Sequence, residues 1–162
     1  MKKIFKKNNG FTGVDISISI IVILIFVPTI FGVVYNIQKT NAGIERKTNA
    51  VNIATDVLEI VKSEQYSDIT VSNSKLVTDL NNKYTKSSYK NTEKEEDGYN
   101  YIYYSTKGSN NESYQIQLGI KNYYPSSSKT EDYVKEIKVR VFYFFGNSVK
   151  DIDIGIVVKT NT

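Results

Sequence analysis

The side chains able to do chemistry in this sequence are of few kinds. It contains no cysteine and no histidine. Thiolate nucleophiles, disulfides and cysteine-ligated metals are therefore excluded, and the usual general base and commonest metal ligand are missing. What remains is carboxylate chemistry at three places. Asp15 stands at the edge of a charge-free apolar run, Glu93–Asp97 lie in "TEKEEDG", and Asp151 and Asp153 alternate near the C-terminal end. Paired carboxylates can help hold calcium, but both acidic groups read as solvated stretches, so no metal site is expected. A single carboxylate beside lipid is costly unless its charge is paired. No catalytic constellation emerges, and the chain reads as a non-enzyme without a cofactor.

These residues sit on elements that the pattern of the sequence delimits. Residues 1–10 form a basic leader carrying Lys2, Lys3, Lys6 and Lys7. Apart from these four, basic and acidic residues are equal in number, so the net charge of +4 belongs to the leader and no nucleic-acid partner is expected. From Ile16 to Gln38 there is no Asp, Glu, Lys or Arg. As a helix this run would span roughly 35 Å, enough to cross a bilayer core of roughly 30 Å. It is also longer than the apolar part of a cleavable secretory signal. Leader lysines favour a cytoplasmic N-terminus, with the C-terminal part outside the cell.

After the run, Val51, Ala54, Leu58 and Val61 fall on one helical stripe that Ile53, Val57 and Ile60 widen. One helix is therefore expected from about Thr12 to Glu64, lying in lipid over 11–38 and against a soluble domain over 39–66. Pro28 removes the bond to the Leu24 carbonyl, which predicts a kink or a melted turn, and Gly32 adds flexibility. Residues 67–162 read as a strand-rich domain. A polar loop with a short helical turn near Ser74–Asn81 precedes four alternating segments, the last two joined by a tight turn at Gly146–Ser148. The expected class is α+β, a long N-terminal helix packed on a four-stranded antiparallel meander with one face in water. Tyr99, Tyr101 and Tyr103 share one strand face, and Tyr123–Tyr124 stand beside Pro125. They read either as good strand residues or as a binding surface.

The stretch "KKNNGFTGVD" resembles the processing site of type IV prepilins and pseudopilins. Against the family pattern Gly-Phe-Thr-Leu-Ile-Glu it keeps Gly10, Phe11 and Thr12, carries Val14 and Asp15 in place of Ile and Glu, and departs at Gly13. The order of parts, a long helix and then an antiparallel sheet, is similar to pilins as well, and the closing "VKEIKVRVFY…VKDIDIGIVVKT" resembles minor pilins of the PilV type. The resemblance implies cleavage between Gly10 and Phe11 by a prepilin peptidase, N-methylation of Phe11, and assembly through Phe11 and Asp15, with Pro28 and Gly32 allowing the helix to bend. The implied partners are other pilin subunits, membrane lipid and, indirectly, an inner platform protein and an assembly ATPase. The implied role is that of a minor pilin or pseudopilin in a type IV pilus or a type II secretion-like machine. Two other readings stay open: an uncleaved single-span anchor displaying a small binding domain, and a pseudopilin of DNA uptake. Asp15 itself has a second use, capping the start of its helix.

Overall fold

The computed structural model describes residues 12–72, 74–90, 92–108, 111–123 and 134–159. The order is helix α1 (Gly13–Ser63), a 3-10 turn at Tyr66–Asp68, helix α2 (Lys75–Lys83), strand β1 (Thr85–Lys86), a 3-10 turn at Thr92–Lys94, and strands β2 (Asn100–Lys107), β3 (Ser113–Tyr123), β4 (Val134–Phe145) and β5 (Ser148–Lys159). The chain divides after Ala42 into two compact units.

In the second unit, α1 buries Ala50, Ala54, Val57, Leu58 and Val61, a stripe at spacings of three and four. Ala50 joins the expected stripe, and Val51 is only half-buried. Ser63 Oγ closes the last turn on the Ile60 carbonyl at 2.7 Å. Ser74 caps α2 by accepting from the Val77 N–H at 3.3 Å. Leu76 and Leu80, one turn apart, are then buried together.

The sheet is antiparallel throughout, in the order β1-β2-β3-β4-β5. The expected meander is present with one strand more than expected. β1 is a two-residue edge strand, too short to show alternation, formed where the chain leaves α2 at the buried Tyr84. The β4–β5 hairpin turns through Gly146, whose φ of 61° suits a glycine at the first central position of a II′ turn.

Inward residues line up in rows across the strands: Tyr104, Ile116, Val141 and Ile152; Ile102, Leu118, Val139 and Ile154; Ile120, Ile137 and Ile156. Residues of β2, β3 and β4 in these rows are buried, whereas those of the edge strand β5 are half-buried. Each fully buried aliphatic side chain contributes roughly 1.5–3 kcal/mol. Lys135 sits on the same inward face, 6% exposed. It donates to the Tyr66 and Ile69 carbonyls at 2.6 and 2.8 Å and lies 4.2 Å from the centre of the Tyr66 ring. A buried cation is tolerable only with such partners.

The opposite face is less open to water than expected. Tyr101 stands across from Gly119, and a Cβ at Gly119 would lie 2.6 Å from the Tyr101 ring. The missing side chain lets tyrosine cover the sheet. Gln117, a polar residue on this face, is only 2% exposed.

Candidate assembly segment

Thr12 and Asp15 form a reciprocal cap at the start of α1. The Asp15 carboxylate accepts from the Thr12 N–H at 3.0 Å and from its hydroxyl at 2.7 Å, while Thr12 Oγ1 accepts from the Asp15 N–H at 3.4 Å. The spacing T-x-x-D places each side chain over the other's backbone, as in a capping box. The capping role is thus the one these contacts display. Gly10 and Phe11 lie outside the described residues, and with them the expected cleavage site and its amine.

Beyond the cap, the apolar side chains of the first unit are exposed. Ile18, Leu24, Phe26, Ile30 and Phe31 are examples, and the hydropathy and length suffice to cross a membrane. Its hydroxyl side chains bond back to the helix itself. Ser17, Ser19 and Thr29 hydroxyls donate to the Gly13, Asp15 and Ile25 carbonyls at 2.9, 2.8 and 2.8 Å. Hydroxyls satisfied within their own helix are compatible with a surround that offers no hydrogen bonds. α1 continues through Pro28, so no turn is melted there, although proline cannot donate to the Leu24 carbonyl. A Cβ on Gly13 or Gly32 would meet nothing within 4 Å. Neither glycine is required by packing within the chain. Gly43 differs: a Cβ there would lie 3.0 Å from the Phe145 ring.

In the second unit, Arg46 ties the helix to the sheet, donating to Glu112 at 2.6 Å and to the Phe144 carbonyl at 2.7 Å. Sequence reasoning gave Arg46 no role, because its partners are far away in the chain.

The acidic stretch at Glu93–Asp97 is not simply solvated. Glu96 pairs with Lys138 at 2.6 Å and Arg140 at 3.5 Å. The Lys138 hydrogen bond comes first among the causes that hold the Glu96 carboxyl below its usual range. Glu95 accepts from the Tyr103 hydroxyl, and Arg140 donates to the Lys94 carbonyl. Residues 94–97 are thereby held across the outer face of the sheet. Tyr99, Tyr101 and Tyr103 do share that face, with ring centres 5.9 and 6.3 Å apart along the row. Tyr124 and Pro125 lie outside the described residues. Asp151 and Asp153 both face Arg140, so their charges are answered by a guanidinium. Among the described residues no cluster of three or more metal-ligating side chains occurs.

Comparison with protein-family models, curated proteins and solved structures finds no match.

Proposed function

We propose that this chain is a pilin-like subunit, a minor pilin or pseudopilin, that inserts in a membrane, loses its leader after Gly10 and assembles through the first part of α1. The observation that carries this reading is the uninterrupted exposure of apolar side chains from Ile16 onward, directly after a carboxylate. A helix apolar on all sides is stable only in an apolar surround, and lipid or neighbouring helices would supply it. Cleavage would remove the four leader lysines that hold the segment in place and create an ammonium on Phe11. Asp15 of one copy would then neutralise Phe11 of the next. A charge at the centre of a bilayer costs about 2.5–3.5 kcal/mol, so pairing would favour one axial register. Capping by Thr12 does not exhaust the carboxylate, because its two oxygens offer about four acceptor positions.

The Thr12–Asp15 box supports one competing reading, an uncleaved single-span anchor in which Asp15 serves its own helix alone. Mass spectrometry of the chain from cells separates the two. A mature N-terminus at Phe11, methylated, supports assembly; retention of Lys2 and Lys3 would exclude it. Thr12→Val and Asp15→Ala sharpen the test. Asp15→Ala is expected to be inserted and processed yet absent from filaments, whereas Thr12→Val keeps its carboxylate and is incorporated. Equal behaviour of the two would mean that capping is the only role of Asp15.

A further inference from the structure

Strand β5 ends the sheet on one side, and its outer edge is open. No strand lies beyond it, and among the described residues no turn or loop backbone bonds to it. The two-residue turn at Gly146 and Asn147 makes Phe145 and Ser148 a hydrogen-bonded pair. Counting from that pair, the even-numbered residues of β5 bond to β4. The odd-numbered ones, from Val149 to Lys159, turn their N–H and C=O groups to the open edge. Long edges are commonly blunted by a bulge, a proline or a covering element. β5 pairs with β4 over all twelve of its residues without a bulge and has no proline.

What the edge carries instead is charge, in an order that is self-complementary. Turned antiparallel on a second copy with Gly155 on the two-fold axis, Asp151 of each copy stands opposite Lys159 of the other. Ile154 then meets Ile156 and Ile152 meets Val158 on the inward face, where all four are only half-buried. Sliding one copy by two residues one way loses both ion pairs. The other way sets Lys159 against Asp153, which already accepts from Arg140 Nε at 3.2 Å. Asp151 is held more loosely, 3.7 Å from Arg140 and 4.0 Å from Lys94. Lys159 is exposed and has no ion pair among the described residues.

We propose that β5 is a self-recognition edge, through which two copies of this chain join into one continuous antiparallel sheet. The second copy supplies the backbone partners, the opposite charge at each end and the apolar residues that extend the inward rows. Gly43 lies at the hairpin end of the sheet, against Phe145. Antiparallel pairing sends the two hairpin ends in opposite directions, so the two chains enter the paired sheet from opposite ends. Pairing therefore joins copies from facing surfaces and is separate from assembly through the first part of α1. The facing arrangement rests on the membrane reading above; the strand pairing does not.

The test is oxidative cross-linking of the full chain in detergent micelles, with single thiols placed in a sequence that has no native cysteine. A Cβ at Gly155 would meet nothing closer than 3.5 Å, so the sheet accepts Gly155→Cys. In the pair its two thiols face each other across a Cα separation of about 5.5 Å, within disulfide reach. The two Val149 positions lie about 40 Å apart. Gly155→Cys is expected to form a disulfide-linked dimer severalfold faster than Val149→Cys. Adding Lys159→Asp sets carboxylates opposite one another and is expected to slow the reaction severalfold, as Asp151→Lys does with ammonium groups. Mixing these two variants restores the rate, since every pair is then opposite in charge. If Asp151→Lys does not fold by circular dichroism, Lys159→Asp decides. Equal rates for Gly155→Cys and Val149→Cys, an unchanged rate with Lys159→Asp, or no dimer of Gly155→Cys would each overturn the proposal. Vesicles carrying the chain are expected to draw together, seen as a rise in light scattering that Lys159→Asp abolishes. Cross-linking without that rise would overturn the facing arrangement alone.

Discussion

From Gly13 to Ala42, α1 exposes aliphatic and aromatic side chains on every side, and its hydroxyls bond back to its own carbonyls. From Gly43 to Ser63 the same element buries a stripe of small and aliphatic residues and carries charges elsewhere. Both stretches are helical, so the difference lies in what each requires of its surroundings. The second is covered by side chains that this chain supplies. The first has a composition that only an outside apolar medium can satisfy. Glycine marks the contrast sharply, since Gly32 stands in open space and Gly43 lies under the ring of Phe145.

The comparison breaks most readily with paired truncations. Leu118→Ala is expected to cost the globular part about 2–5 kcal/mol in denaturant unfolding, because Leu118 is fully buried. Leu24→Ala should leave that transition within about 0.5 kcal/mol. Comparable losses would mean that Leu24 contributes to the stability of the fold and is not simply exposed.

A charge tests the apolar half. Ile23→Lys is expected to oppose insertion by about 2.5–3.5 kcal/mol, shifting the chain out of the membrane fraction while the unfolding transition of the sheet stays in place. The glycines give a smaller effect of opposite sign. Gly32→Ala gains about 1 kcal/mol of helix propensity without a clash, read as slower amide exchange around residue 32. Gly43→Ala must displace Phe145 and is expected to destabilise the globular part by about 1 kcal/mol.

The smallest effect is electrostatic. The folded-state pKa of Glu96 is depressed, so its contribution is present above the usual glutamate range near 4.5 and is lost as pH falls through the folded value. A slight drop in melting temperature below about pH 4.5 is expected, and it should be weaker in Glu96→Gln. Lys135 acts in the alkaline range, where stability likewise rises with pH. Burial lowers its pKa, so its penalty fades as pH rises from the folded value towards 10.5.

The helix and the four long strands were legible because each repeats its signal over many residues. α1 was expected from Thr12 to Glu64 and runs Gly13–Ser63. β1 was not legible, because two residues carry no period. The docking of Glu96 depends on Arg140 and Lys138, more than forty residues later, and nothing local announces it. Gln117 has the polarity of a solvent position, but tyrosines over Gly119 close that face. At the candidate assembly segment, the apolar run and Asp15 were visible in the sequence. The hydrogen bonds that tie Asp15 to Thr12 depend on side-chain geometry, which residue types alone do not specify.

The direct test of the contrast within α1 uses the absence of native cysteine. Ile23→Cys and Thr55→Cys each place a single thiol at an exposed position, one in each half. On intact cells, a membrane-impermeant maleimide is expected to label Thr55→Cys and to leave Ile23→Cys unlabelled until detergent dissolves the membrane. Labelling of Ile23→Cys on intact cells would contradict the account.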